Sequence, residues 1–331
     1  MPEFRRLQQT GSDTFLISLP KTWIRENKLH KGDPLVIGTL ESGTLIISPQ
    51  RDNRNREKIR SRIIESERVE EDIFANYLAG FEVIEVIRED GKPLQFRENV
   101  ANLLPRLFGL DIMFESADRI ELEFSTDTAS LGPRKILHRC FSIAITMTKE
   151  VIEALLTKDK NLAVERAQAV VDRDKQVNRL YFLVVRMLRE MVQQINAHQA
   201  VSPIECLDFR MVGNLAEGLG DQAVELARYI IINPGLGFSS TAEHSIRKLS
   251  SESHQILNEA ITAFNTSQQD KALKTKDKAN IQIIASLQGL LELYKDDSHL
   301  PPELIFLLHQ FFRETFEVVV DLADLAMGVP T

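Results

Sequence analysis

The second half of the sequence constrains the fold most strongly, because it repeats one pattern of three long helices. From Arg134 to Met327 strand patterns are almost absent, and apolar residues recur at helical spacing. Asn233-Pro234-Gly235 interrupts the pattern midway, as helix-breaking residues do. The spacing predicts helices at about 135–157, 160–198 and 203–232, and then at about 239–266, 269–296 and 301–327.

An acidic motif supports an internal repeat. Glu217 and Asp221 lie on the third predicted helix, and the same pair returns 100 residues later as Glu317 and Asp321. We therefore expect an all-α domain, 135–331, made of tandem three-helix bundles at about 135–232 and 239–327.

The first 49 residues predict a different, largely β unit. Arg5–Thr10 and Phe15–Leu19 are strand-like runs around a turn, and Pro20 favours a helix start at Lys21. A second hairpin follows at Leu35–Leu40 and Thr44–Ser48. The predicted order is β-β-α-β-β.

Such a unit is too small to bury a core alone, because domains well below about 60 residues leave much apolar surface in water. Two copies that interleave their hairpins would solve this problem. They would also place Arg5, Arg6, Lys21 and Arg25 of both chains on one particle. We therefore expect a homodimer with the layout of a DNA-binding protein.

The charge distribution agrees with this prediction. Residues 1–62 hold twelve Lys or Arg and seven Asp or Glu, so they carry +5, and the remainder carries −13 of the chain's net −8. Binding to phosphates needs local positive potential, so an acidic chain is compatible with it. The alternative is a hairpin unit that only dimerises.

The middle segment, 50–134, predicts a small α/β module. The polar stretch 51–56 marks its boundary, and apolar spacing from Glu57 to Gly80 predicts a helix. Strands are expected at Phe81–Ile87, Asp111–Phe114 and Ile120–Phe124. We interpret the module as a spacer or a dimer module.

The acidic helices raise the question of a metal site. Glu217 and Asp221 share a helix face, Asp174 on the preceding helix could approach them, and such oxygen ligands suit hard or borderline cations. The alternative is pairing of these carboxylates with Arg179 or Arg228.

Other residues point away from catalysis. Cys140 and Cys206 are isolated and are expected to be buried free thiols, and the seven histidines form no ligand motif. No Ser-His-Asp or Cys-His grouping is present, so we expect no enzyme. No apolar run predicts a membrane helix or secretory signal, which favours a cytoplasmic protein without membrane insertion.

The N-terminal segments Arg6–Gln8, Thr10–Ser12, Ile17–Trp23 and Leu29–Asp33 closely resemble the swapped-hairpin AbrB family, which includes SpoVT-like and MazE-like proteins. The resemblance covers about residues 3–49. It implies DNA binding by an intertwined dimer, with Arg6, Gln8, Ser12, Lys21 and Arg25 at matching positions beside Arg5.

The helical half resembles the PhoU family of phosphate-uptake regulators, through Val171–Leu180 and Glu217–Ala227. That family's motif has a second acid where this chain has Asn178, and in the second repeat Ile281 replaces one. The resemblance implies a divalent or iron-type metal ion in the first bundle, held by Asp174, Glu217 and Asp221.

A swapped-hairpin head joined to such a body resembles archaeal phosphate-uptake regulators. The implied function is DNA-binding transcriptional control of phosphate uptake or metabolism. The alternative is a signalling adaptor that binds a phosphate transporter or a kinase, with the head serving only for dimerisation.

Overall fold

The computed structural model describes residues 4–39, 43–50, 58–88, 90, 92–126, 131–193, 201–296 and 300–328. The chain divides into an N-terminal unit that ends at Glu57 and a larger unit formed by Lys58–Gln193 and Ser202–Thr331. The α/β module and the helical bundles both belong to the larger unit.

The N-terminal unit, called the head (residues 4–50), consists of two hairpins with a short helix between them. Strands β1 (Gln8–Thr10) and β2 (Thr14–Leu16) pair antiparallel, as do β3 (Leu35–Thr39) and β4 (Leu45–Pro49), and α1 (Lys21–Glu26) separates the hairpins. The predicted order is confirmed, although β1 and β2 are shorter than expected. Position 40, the predicted end of the third strand, lies outside the described residues.

The α/β module (residues 58–126) has a four-stranded sheet in the order β5-β6-β8-β7. Its elements are β5 (Arg60–Ile64), α2 (Val69–Leu78), β6 (Val83–Ile87), α3 (Arg97–Leu103), β7 (Leu110–Glu115) and β8 (Arg119–Phe124). Strands β5 and β6 are parallel, and the other pairs are antiparallel. Helices α2 and α3 contribute Ile73, Tyr77 and Val100 to the core beside Val86 and Leu122 of the sheet.

The helix predicted from Glu57 to Gly80 is wrong in its first half. Residues Arg60–Ile64 form β5, and the helix begins only at Val69. Ile63 is buried while its neighbours Arg62 and Ile64 are exposed, which is the period-two pattern of a strand. A short apolar run next to a helix does not by itself reveal this change of period.

The helical body, residues 133–327, contains the six predicted helices with bounds close to those expected. They are α4 (Pro133–Leu155), α5 (Lys160–Gln193), α6 (Pro203–Ile232), α7 (Ser240–Thr266), α8 (Gln269–Asp296) and α9 (Pro302–Met327). The predicted end of the second helix, at about 198, lies outside the described residues. At the start of α6, Ser202 and Glu205 form a reciprocal capping box, which satisfies two backbone N–H groups. Both cysteines are buried free thiols, as predicted.

Arg186 of α5 connects the helical body to the α/β module through hydrogen bonds and ring contacts. Its fully buried guanidinium donates to the carbonyl oxygens of Tyr77 (2.7 Å), Gly80 (3.2 Å) and Phe81 (3.0 Å). It also lies 3.9 Å from the ring centroid of Phe124 and forms a 3.0 Å ion pair with Glu190. The sequence did not indicate this role, because a single Arg on a long helix usually faces solvent.

Candidate functional site

The predicted DNA-binding residues all lie in the head, on its first hairpin and on α1. Arg5 and Arg6 precede β1, Gln8 begins β1, and Lys21 and Arg25 belong to α1. Ser12 lies in the turn between β1 and β2. All six side chains are exposed.

The cations of the head present their charge to solvent. Lys21 and Arg25 are four residues apart and therefore share one face of α1. Within the part of the chain that the structure describes, Lys21, Arg25 and Arg6 have no carboxylate within 4 Å. Unneutralised surface cations of this kind supply the positive potential that phosphate groups require.

The polar residues of the first hairpin differ in their local bonding. The Ser12 hydroxyl donates to Asp13 (3.0 Å), and the Gln9 amide donates to the Ser12 carbonyl (2.9 Å). The backbone of Gln8 pairs with Leu16 across the hairpin, and its side chain stays exposed. Gln8 is thus the freer of the two predicted polar contacts, since Ser12 already has an acidic neighbour.

The head also exposes large apolar side chains. None of its described residues is buried in the single chain. The side chains that are more than half exposed are Phe4, Leu7, Phe15, Ile17, Ile37 and Leu45. These exposed side chains are of the types that usually form a buried core. They lie on the same small unit as the cations.

The second candidate site is the acidic cluster, which consists of Asp174, Glu217 and Asp221. A Cβ placed on Gly220 of α6 would lie 3.5 Å from Asp174 Oδ1, so this carboxylate packs against α6, near enough to Asp221 and Glu217 for the charges to interact. The three predicted residues therefore meet at the contact of α5 with α6.

Burial and mutual repulsion raise the pKa of these carboxyl groups. Burial is the main cause at all three, and the Asp221 charge raises the pKa of both Asp174 and Glu217 further. Arg228 acts in the opposite direction on Asp174 and Asp221. The cluster is thus costly to ionise fully without a cation nearby.

One oxygen of the acidic cluster has no partner. Asp174 Oδ2 accepts a 2.7 Å hydrogen bond from Asn178, whereas Asp174 Oδ1 is buried and makes no hydrogen bond to the described residues. Arg228 makes no ion pair with the cluster within 4 Å among those residues, and Arg179 instead lies over the ring of Phe108. Across the described positions, no group of three or more His, Cys, Asp or Glu has metal-binding geometry.

In the second repeat, a basic side chain pairs with Glu317 of the repeated motif, and another pairs with Asp324, which lies next to that motif. Arg313 pairs with Glu317 (2.8 Å), and Lys276 pairs with Asp324 (2.5 Å). The Lys276 charge also lowers the pKa of Asp321, although burial and two acidic neighbours raise it overall. Sequence reasoning missed this difference because it compared only the Glu-x-x-x-Asp spacing; the first repeat has Gly213 where the second has Arg313.

Comparison with known proteins supports both halves of this description. Residues 137–230, from α4 to α6, match the family model of the PhoU domain. The first helical bundle is therefore similar to a PhoU domain. Residues 8–55, which include most of the head, match the model of the antidote-toxin recognition protein MazE, a bacterial antitoxin.

Two solved PhoU structures are similar to part of this chain. PhoU from Pseudomonas aeruginosa is 19% identical, with a TM-score of 0.48, over 59% of this chain and 93% of that one. A PhoU-like protein from Shewanella oneidensis MR-1 is 16% identical, with a TM-score of 0.39, over 61% and 93%. Comparison with curated proteins gave no significant match. None of the helices described here combines the length and apolar character needed to cross a bilayer.

Proposed function

We propose that this protein is a homodimeric DNA-binding regulator of phosphate uptake or metabolism. The observation that carries the proposal is the head, which combines exposed apolar side chains with unneutralised cations on one small unit. The match to the MazE model supports the same assignment for residues 8–55.

The dimer follows from the energetics of the head. Removing apolar surface from water stabilises a folded protein by about 25 cal/mol per Å². None of the described residues of the head is buried within a single chain, so the head alone gains little of this stabilisation. A second copy can cover Phe15, Ile17 and Leu45 and so supply the missing core. Each copy then brings its own Arg6, Lys21 and Arg25 to the particle.

The proposed contact with DNA is mainly electrostatic. Each cation that reaches a phosphate releases condensed counterions, so affinity falls steeply as salt concentration rises. Gln8 is the residue suited to read a base edge, because an amide can both donate and accept.

The PhoU-like body is the proposed sensory or partner-binding part. PhoU family proteins act with transporters or kinases, and such a partner would report phosphate status to the head. The role proposed for the body is regulatory.

A gel-shift series against salt tests the function. The full-length Arg6→Ala/Lys21→Ala variant should lose affinity at every salt concentration, by about 1–3 kcal/mol for each lost contact. It should also show a shallower salt slope, because fewer counterions are released. Lys135→Ala, which removes one exposed cation from α4, is the control and should bind like the wild type.

The adaptor is the second candidate function. The exposed apolar side chains of the head explain dimerisation equally well without DNA. Complete absence of DNA binding at low salt, together with an intact dimer, would favour the adaptor over the regulator.

We further propose that the acidic cluster accepts a divalent or iron-type cation. As they stand, Asp174, Glu217 and Asp221 do not form a metal-binding group, so binding requires their side chains to move toward a shared ion. The fit rests on the unpartnered Asp174 Oδ1, with Glu217 and Asp221 as the other ligands, since buried carboxylate oxygens without donors suit a cation. A bound cation would offset the repulsion within the cluster.

Metal titration tests this second proposal. Adding Mn²⁺ or Fe²⁺ should raise the Tm of the full chain with the logarithm of its concentration above the Kd, because the ion binds only the folded state. Asp221→Asn should abolish the rise, whereas Asp321→Asn in the second repeat should keep it. A Tm that does not respond to either ion would contradict the metal site.

A further inference from the structure

Helix α8 contains a long stretch without charge on its solvent side. The thirteen residues Ala279–Leu291 include no Asp, Glu, Lys or Arg. Ile281 is 67% exposed, Ile284 63% and Leu291 48%. The solvent side of a surface helix is normally charged or polar, so this surface is typical of an interface.

The same side of α8 has room for a close neighbour. Ala285 and Gly289 are exposed, and a Cβ placed on Gly289 would touch nothing within 4 Å. A glycine inside a helix costs about 1 kcal/mol relative to alanine, and no internal contact explains it here. Beside it, a groove of about 310 Å³ runs between α7 and α8, over Leu249 and Leu290, with Lys248 and Glu252 on its α7 side.

Opposite charges bound the uncharged stretch. Lys278, which pairs with Glu259 of α7 (2.8 Å), precedes it, and Glu292 follows it. Both are exposed on the same side of the helix. If a second α8 packs antiparallel about Ala285, each Lys278 faces Glu292 of the other copy, and each Ile281 faces Gly289. The surface is therefore complementary to itself in both charge and size.

We propose that α8 packs against α8 of a second copy of this chain, antiparallel and about a two-fold axis near Ala285. The uncharged stretch favours a second copy over a strongly charged partner. The charges of such a partner would have no counterparts along this stretch. This inference rests on the proposed function, because the dimer formed through the heads is what brings the two α8 helices together.

The size of the contact explains why it needs the head. Thirteen helical residues span only about 20 Å. That length covers less than the roughly 800 Å² per partner of a stable independent interface. Two bodies held in one particle by their heads meet at an effective concentration of about the millimolar range, which suffices for a small contact.

Cysteine cross-linking of the full chain tests the contact. Ala285→Cys places a thiol at the proposed axis, and mild oxidation should join the two copies covalently. The native Cys140 and Cys206 are buried, and burial raises the pKa of Cys140 to about 12, so neither competes. Ser142→Cys, an exposed position on α4, is the matched control.

The expected result is about tenfold more covalent dimer from Ala285→Cys than from Ser142→Cys, as a high effective concentration implies. Adding Ile281→Glu to Ala285→Cys should remove that excess. Light scattering on the same samples separates the two proposals. A dimer without preferential cross-linking at position 285 overturns the α8 contact alone, whereas a monomer also overturns the dimer of the proposed function.

Discussion

At the scale of single residues, His254 of α7 is a neutral group buried between the two helical repeats. Its Nε2 lies 2.9 Å from the hydroxyl of Thr148 on α4, and that hydroxyl donates to the Ile145 carbonyl. The histidine must therefore be the donor in this contact. Its burial and the nearby Lys149 charge lower its pKa from 6.5 to about 4.

This lowered pKa predicts a specific loss of stability in acid. The unfolded chain takes up a proton at position 254 as pH falls through about 6.5, while the folded chain resists until about 4. The stability is complete above pH 6.5 and declines below it, by about 2 kcal/mol at pH 4.5. His254→Gln keeps a neutral donor and should reduce this part of the decline.

Thermal melts of wild type and His254→Gln from pH 7.5 to 4.5 check the prediction. The Tm difference between the two proteins should shrink or reverse toward pH 4.5. Exposed His244 on the same helix is the control position, so His244→Gln should retain the wild-type pH dependence. If the Tm of His254→Gln and the Tm of the wild type fell in parallel with pH, a lowered pKa of His254 would be contradicted.

At the scale of elements, the helices were predictable and the middle module only partly so. Long periodic segments bounded by Pro, Ser and Gly specify their own limits, and α6 begins and ends where the spacing predicted. The start of the module was not predictable, because β5 becomes a strand only by pairing with β6 across Arg60–Ile64. The apolar spacing within residues 57–80 does not indicate that this segment pairs with another strand.

The candidate sites were likewise predictable only in part. The identities of Arg6, Lys21, Glu217 and Asp221 follow from motifs, and the sequence alone suggested them. Whether a buried carboxylate oxygen has a partner is a tertiary property. Asp174 Oδ1 is buried against α6 and lacks a hydrogen-bond partner among the described residues, which no sequence pattern indicates. The pairing of Glu317 with Arg313, by contrast, is a local i,i+4 contact within α9.

Two glycines of α6 give a prediction about helix stability. A Cβ at Gly218 would touch nothing within 4 Å, whereas a Cβ at Gly213 would lie 3.3 Å from the Tyr181 ring and 3.4 Å from Leu137. Gly218→Ala should therefore stabilise the body by about 0.5–1 kcal/mol, through the lower entropy of the unfolded chain.

Thermal unfolding followed by circular dichroism at 222 nm measures this effect. Gly218→Ala should raise the Tm of the helical transition by about 1–4 °C. Gly213→Ala is the matched control and should gain less or lose stability, because Tyr181 must move. Equal gains at both positions would show that packing around α6 does not limit the substitution.

At the scale of the whole molecule, the two units differ in how they reach stability. The larger unit has its own buried cores, including Ile73, Tyr77 and Leu122 in the module and Met147, Leu257 and Phe312 in the helices. The head has cations and exposed apolar side chains but no buried residue among those described. Folding of the head should thus depend on a second copy, whereas folding of the body should not.

Removal of the head therefore separates folding from assembly. A chain that begins at Lys58 should keep its helical content and a cooperative melt, because the cores of the larger unit remain. It should be monomeric at micromolar concentration by light scattering, since the α8 surface alone spans only about 20 Å. In the full chain, Phe15→Asp/Ile17→Asp should give the same monomer, while Gln50→Asp, an exposed polar position of the head, should leave the dimer intact. A truncated chain that stays fully dimeric would place the main interface within residues 58–331 and leave the head without a role in assembly.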